Sequence, residues 1–150
     1  MTAPRGTSSD VLLVEDSPGD VRLTREAFRE ANPAVRLHVA SDGIEAMAFL
    51  RREGVNADAP RPDFILLDLN LPKMDGREVL ALIKEDVHLR TIPTVILTTS
   101  EADADIIHSY ELNANAYLRK PVTLEAFEAL VRSINDFWLT KVVLPQHSHA

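Results

Sequence analysis

Five short apolar runs, each followed by a segment with helical spacing, constrain the fold of this chain more than any other feature. Val11-Leu12-Leu13-Val14 is unbroken and β-branched at both ends, as expected of a strand buried on both faces. Residues 35–39 form a less apolar run, suited to a sheet edge, and Phe64-Ile65-Leu66-Leu67 is fully apolar. Residues 94–97 follow Pro93, and Ala116-Tyr117-Leu118-Arg119 is a short fifth run. Between them lie helical patterns with start and stop signals. Ser17 caps a helix whose first position is Pro18 and whose positive end carries Asp20; Asn32-Pro33 stops it. Ser41-Asp42-Gly43 opens a second helix, and the loop 71–76 leads into a third bearing Val79, Leu80, Leu82 and Ile83. Ser100-Glu101-Ala102-Asp103 is read as the cap of a fourth, through about Leu112, and Thr123 as the cap of a fifth, from Leu124 to about Leu139. Strands alternating with helices give a parallel sheet with right-handed crossovers. The expected architecture is an α/β, doubly wound, five-stranded parallel sheet in the order 2-1-3-4-5, a (βα)5 flavodoxin-like fold.

The chain has 150 residues, which suits one domain. Residues 1–9 read as a flexible polar tail, 10–140 as the folded domain and 141–150 as a C-terminal extension. The formal net charge of -7 argues against wrapping nucleic acid or an anionic membrane through bulk charge. No apolar run approaches the ~20 residues of a spanning helix, and residues 1–9 contain no apolar signal-peptide region. The absence of cysteine excludes disulfides and thiolate chemistry and fits a reducing, cytoplasmic setting. His147 and His149 are read as part of a tail rather than as a metal site.

In a doubly wound sheet, ligands sit beyond the carboxyl ends of the strands, where strands 1 and 3 diverge. Those ends carry Glu15-Asp16, Asp68, Thr98-Thr99 and Lys120-Pro121. Taken singly, each is ordinary: acidic residues cap strand ends, threonine is a β-former, lysine is a surface residue. Together they converge on one edge. Like carboxylates at ~4 Å repel by roughly 4 kcal/mol at an effective dielectric of 20. A hard divalent cation with oxygen ligands relieves that repulsion, and Mg²⁺ (or Mn²⁺) suits carboxylates, waters and a phosphate. A carboxylate beside such a cation can act as a nucleophile toward phosphorus, with a lysine and a hydroxyl to bind the phosphoryl oxygens. The residues thus read as a metal-assisted phosphoryl acceptor.

The segments Val11 to Asp16, Asp68-Leu69-Asn70-Leu71-Pro72-Lys73-Met74-Asp75-Gly76, Ile96-Leu97-Thr98-Thr99-Ser100 and Ala116 to Pro121 resemble the receiver domains of two-component response regulators. The resemblance implies that Asp68 accepts a phosphoryl group from a sensor histidine kinase. It implies that Asp16 binds the metal directly, Glu15 mostly through water, and Asn70 through its backbone carbonyl. Thr98 and Lys120 would contact the phosphoryl group, and Thr98 and Tyr117 would form the conformational switch. Lys120-Pro121 would be a cis peptide. The family acts as a phosphoacceptor with at most slow self-dephosphorylation, not as a turnover enzyme. The Ser17-Pro18-Gly19-Asp20-Val21 start, the long loop before Asp63 and the Phe137-Trp138-Leu139 ending are similar to small regulators partnered with bacterial phytochrome kinases. A stand-alone receiver without a DNA-binding effector is expected.

Two other aspartyl-phosphate or phosphate folds fit less well. A haloacid-dehalogenase-like phosphatase places its nucleophile after the first strand with a second Asp two residues on, whereas position 70 is Asn. A flavin site would place Glu15-Asp16 against a phosphate. The last helix supplies a core stripe through Phe127, Leu130, Val131, Ile134 and Trp138. Leu139, Val142, Val143 and Leu144 then exceed what one stripe needs, with Phe137 at its edge. A homodimer through Phe137, Trp138, Leu139 and Val143 is expected; the alternative is that 142–144 folds back on its own domain.

Overall fold

The computed structural model describes residues 9–100 and 102–145. Its strands are β1 (Ser9–Val14), β2 (Val35–Ala40), β3 (Phe64–Leu67), β4 (Thr94–Thr98) and β5 (Ala116–Arg119). The helices are α1 (Pro18–Ala31), α2 (Gly43–Arg51), α3 (Gly76–Glu85), α4 (Asp103–Glu111) and α5 (Leu124–Ile134). The strands pair in parallel, as the alternation predicts, and in the order β2-β1-β3-β4-β5 expected of a doubly wound sheet.

Strand periodicity divides the core in two. Leu12, Val14, Ile65, Leu67 and Ile96 face one way, onto Met47, Leu50, Val79, Leu80 and Ile83 of α2 and α3. Val11, Leu13, Phe64, Leu66, Val95 and Leu97 face the other, onto Ala27 and Phe28 of α1 and Phe127, Val131 and Ile134 of α5. Each such side chain removed from water contributes roughly 1.5–3 kcal/mol. Both faces are covered because right-handed crossovers from a central strand put helices on opposite sides. Of the α4 residues, only Ser109 is buried, so α4 is the helix least tied to the core.

Four helix starts follow local capping chemistry. Ser17 Oγ accepts the Asp20 N–H at 3.3 Å, Asp42 the Glu45 N–H at 2.8 Å, Asp75 the Arg77 N–H at 2.7 Å, and Thr123 the Ala126 N–H at 3.2 Å. The fourth helix departs from expectation. It begins at Asp103 with Ala102 in the cap position and no side-chain cap. Ser100, expected to cap it, accepts only the Ala102 N–H ahead of the helix, at 3.4 Å, and donates its hydroxyl to Asp105 at 2.6 Å.

Three further expectations are corrected. The strand reaches back to Ser9, which is buried and aligned with Val35, so position 9 belongs to the sheet; residues 1–8 lie outside the described part. The Lys120–Pro121 bond is trans, as no cis peptide occurs among the described residues. Trans is the resting preference of an X–Pro bond. In that isomer the Lys120 N–H still donates to the Thr98 carbonyl at 2.8 Å. Finally, α5 is regular only to Ile134 and continues as a wider π-helical turn, Asn135–Leu139. A π turn closes every five residues rather than every four. It therefore brings Leu139 back onto the face of Ile134, where both are 3% exposed. Leu139 and Leu144 join the core and Val142 packs against it, so Leu139 is an internal residue rather than a surface contact. Trp138 packs on Phe64 with ring centroids 5.4 Å apart. Phe137 and Val143 remain outside, at 55% and 85% exposure.

Candidate functional site

The register of the sheet assembles the site. Val14 pairs with Leu67 across β1 and β3, so the next residues, Glu15 and Asp68, emerge side by side where the chain diverges to opposite faces. Thr98 pairs with Arg119, so Lys120 leaves β5 beside the end of β4. One carboxylate oxygen from each of Glu15, Asp16 and Asp68 lies within 4.8 Å of the others. The Glu15 and Asp68 side chains are only 4% and 8% exposed, and that of Lys120 6%, whereas Asp16 is open to solvent.

Lys120 Nζ donates to Glu15 Oε1, to Asp68 Oδ2 at 3.0 Å and to Asp20 Oδ2 at 3.0 Å. The free oxygens are oriented by backbone: Glu15 Oε2 accepts the Ser17 N–H at 3.1 Å, and Asp68 Oδ1 the Asn70 N–H at 3.2 Å. Burial raises the Glu15 carboxyl above the ordinary range, against the opposing pull of Lys120. Burial also works against the Lys120 ammonium, but Glu15, Asp68 and Asp20 outweigh it and hold its pKa well above the usual value. One ammonium leaves three of four carboxylate charges uncompensated. The donor set is all oxygen, close-spaced and open on the Asp16 side, which fits a hard divalent cation. Beside it, a cavity of about 340 Å³ is lined by Glu15, Asp16, Pro18, Val21, Arg22, Arg25, Val39 and Ser41.

Asp20 is a member of the cluster that its sequence position alone assigns to the helix dipole. Helical side chains lean toward the N-terminus. An aspartate in the first turn of α1 therefore reaches back over the sheet edge, and its place in the turn directly after Glu15-Asp16 is the signal that could have placed it.

A second layer surrounds the cluster. Thr98 is fully buried, and its Oγ1 accepts the Ser100 N–H at 3.4 Å. Tyr117 is half-buried and donates its hydroxyl to the Ser100 carbonyl at 3.0 Å. Thr98 and Tyr117 are thus linked through one residue. Asn70 and Thr99 lie exposed at the rim. Gly76 closes the loop after β3: its N–H donates to the Leu69 carbonyl at 3.0 Å, and a Cβ there would stand 2.1 Å from the Asp68 carbonyl oxygen.

Residues 11–132 match the response regulator receiver domain. Response regulator Rcp1 of Synechocystis sp. (strain ATCC 27184 / PCC 6803 / Kazusa) is 50% identical over 135 residues, which cover 90% of this chain and 92% of Rcp1. The crystal structure of the phosphorylated cyanobacterial phytochrome response regulator RcpA superposes with a TM-score of 0.90 at 48% identity, covering 93% of this chain and 99% of that one. The Mn²⁺-bound form of Rcp1 gives 0.88 at 48% identity, over 92% and 99% of the two chains. The bacteriophytochrome response regulator AtBRR gives 0.72 at 40% identity, over 93% and 99%. With the strand order, the acidic crevice and the lysine after β5 all in the arrangement that its sequence motifs imply, this chain belongs to the response regulator receiver family.

Proposed function

We propose that Asp68 accepts a phosphoryl group from a phosphohistidine of a sensor kinase and that the resulting charge is read out through Thr98 and Tyr117. The observation that carries this reading is the Asp68 carboxylate, nearly buried among Glu15, Asp16 and Lys120. A carboxylate oxygen of Asp68 attacks phosphorus, the P–N bond to the donor imidazole breaks, and the departing ring nitrogen takes a proton. Asn70 N–H orients one Asp68 oxygen while Lys120 holds the other. Lys120 then transfers its hydrogen bonds from carboxylates to phosphoryl oxygens, as a point charge suited to them. Glu15, Asp16 and Asp68, with the Asn70 carbonyl, would hold Mg²⁺ or Mn²⁺, which when bound supplies neutralisation of phosphoryl charge. Thr98 offers its hydroxyl to the same group, and the segment bearing Ser100 and the Tyr117 hydroxyl moves with it.

The chain acts in this reading as a phosphoacceptor in the cytoplasm, not as a turnover enzyme. Among the described residues, no helix is long and apolar enough to cross a membrane. Similarity to RcpA and AtBRR supports a phytochrome-linked histidine kinase as the donor. Incubation with acetyl phosphate and Mg²⁺, or with a phytochrome kinase and ATP, should label Asp68 alone. Undiminished labelling of Asp68→Ala, or of the wild type in EDTA, would refute the assignment.

We further propose a homodimer through the outward face of the C-terminal turn. Its support is the exposure of Phe137 and Val143, which flank the turn closed by the Val142 N–H donating to the Phe137 carbonyl at 2.9 Å. Trp138 braces Phe137 edge-on at 5.6 Å. Because Leu139 and Leu144 are core residues, the informative variant is Phe137→Ser with Val143→Ser rather than a truncation. Light scattering at tens of micromolar should show a dimer for the wild type and a monomer for the variant; a monomeric wild type refutes the proposal.

A further inference from the structure

All three polar groups of Ser100 are engaged, and each leads to a different element. Its N–H donates to Thr98 Oγ1 at 3.4 Å, its carbonyl accepts the Tyr117 hydroxyl at 3.0 Å, and its hydroxyl donates to Asp105 Oδ2 at 2.6 Å. The same hydroxyl oxygen accepts the Ala102 N–H at 3.4 Å. Asp105 is itself fixed from the opposite side. Arg77 Nε and Nη2 grip its two oxygens at 2.8 and 2.7 Å, a two-pronged geometry in which both partners are oriented. The remaining arm of Arg77, Nη1, bonds both oxygens of Asp75 at 3.0 and 3.1 Å and reaches the Leu69 carbonyl at 3.4 Å. Leu69 directly follows Asp68. A continuous chain of polar contacts therefore runs from the loop of the acceptor carboxylate, through Arg77 and Asp105, to Ser100 and the Tyr117 hydroxyl.

This chain has consequences for the switch, given the phosphorylation reading above, on which the inference rests. If Thr98 turns toward a phosphoryl group, the Ser100 segment must travel with it. Asp105 is unable to follow freely, because Arg77 ties it to the start of α3. The rest of α4 offers little other anchorage, since Ser109 is its sole buried residue. We propose that Arg77 and Asp105 are positioning residues that latch the loop after β4 in the unphosphorylated arrangement and so set how readily phosphorylation throws the switch.

The electrostatics agree with a strong tie. Hydrogen bonds from Arg77 and then Ser100 pull the Asp105 carboxyl down to about 2, and its side chain is only 17% exposed. The latch shifts a two-state equilibrium only by the energy it adds to one state and not the other. Loss of a latch that favours the resting state must therefore raise affinity for a phosphoryl analogue that selects the other state.

The test uses the full chain and beryllofluoride with Mg²⁺ as the probe, comparing wild type with Arg77→Met, Asp105→Ala and Arg77→Lys. The first two should bind beryllofluoride about tenfold more tightly, a difference of about 1.4 kcal/mol. Arg77→Lys, which keeps the charge but loses the fork, should fall between them and wild type. In metal-free buffer, the Ser100 and Ala102 amides of Arg77→Met should exchange with deuterium at least tenfold faster, while β1 and β3 amides keep their wild-type rates. Unchanged or weakened beryllofluoride affinity in variants that still melt cooperatively would overturn the latch, leaving a merely structural ion pair. A wild type that binds no beryllofluoride would overturn the phosphorylation reading and the latch with it.

Discussion

Replacing Lys120 with methionine removes the ammonium that bonds three carboxylates in a nearly closed cluster, and the structure sets the scale of the damage. The ammonium contacts Glu15, Asp68 and Asp20, whose side chains are 4%, 8% and 32% exposed. At 3.0 Å, each attraction amounts to roughly 5 kcal/mol at an effective dielectric of 20, before the larger part is cancelled by desolvation. The net cost of removing one partner from a buried ionic group is about 3–5 kcal/mol, because the remaining charges are left unpaired. Glu15 already sits above the usual carboxyl range through burial, and proton uptake there would recover part of that loss. For a domain of this size, the melting point should fall by roughly 10 °C in EDTA. Mg²⁺ should then restore more stability to Lys120→Met than it adds to wild type, since no ammonium competes for the same oxygens. A cation at a hundred times its Kd contributes about 2.7 kcal/mol. Thermal and urea unfolding of both proteins, in EDTA and in saturating Mg²⁺, measures all four values. Equal stability of the two proteins in EDTA, or a larger Mg²⁺ effect on wild type, would refute the account of Lys120 as the internal counter-charge.

Gly76→Ala would put a methyl 2.1 Å from the Asp68 carbonyl oxygen and 2.7 Å from the Leu69 Cα, so the loop must shift. A loss of about 1–3 kcal/mol in urea unfolding and slower acetyl phosphate labelling of Asp68 are expected; normal values for both would contradict the close approach. The Asp105 carboxyl is depressed from 3.8 to about 2, so its contribution is complete above the unfolded value and is lost as pH falls through the folded one. The stability advantage of wild type over Asp105→Asn should therefore shrink by roughly 2 kcal/mol between about pH 5 and pH 2, and a pH-independent difference would show that the Arg77 pair adds nothing.

The strands were legible from their short apolar runs and the parallel sheet from their alternation with helices, whereas the order 2-1-3-4-5 came from the common order of doubly wound sheets. A run such as Phe64-Ile65-Leu66-Leu67 is too short for a helix and too apolar for a surface strand. The cluster was legible for the same reason: once the strands are parallel, their ends must meet. What escaped the reading depends on side-chain choice rather than pattern. Ser100 has the right chemistry to cap α4, but its oxygen meets the Ala102 N–H, ahead of the first helical residue, while its hydrogen goes to Asp105, a residue whose partner Arg77 lies 28 positions earlier. Asp20 satisfies the helix dipole and the lysine at once, and only the second use identifies it as part of the site. The packing of 139–144 is not legible in the sequence beyond two open alternatives, because a helical wheel assumes 3.6 residues per turn. A single wide turn moves Leu139 from the outside to the core, and apolar composition alone gives no sign of that change. The trans bond before Pro121 was equally hidden, because both isomers present the same residues.

The same geometry bears on why the site should accept a phosphoryl group at all, given its negative charge. Lys120 is shared among three carboxylates that differ in burial. Asp20 is the most exposed of the three and stands at the end of a helix dipole that already favours its charge. It can release the ammonium into water at little cost, whereas Glu15 and Asp68 would each be left charged in a closed setting. An arriving phosphoryl group therefore competes first with Asp20, the least costly contact to give up, before Lys120 shifts its bonds away from the buried pair. On this argument Asp20→Asn should leave the resting protein close to wild type in stability, yet speed labelling by acetyl phosphate, because the lysine starts with one competitor fewer. Slower labelling of Asp20→Asn, at unchanged stability, would mean instead that Asp20 helps to gather the cation, and that the competition for Lys120 is decided at Glu15.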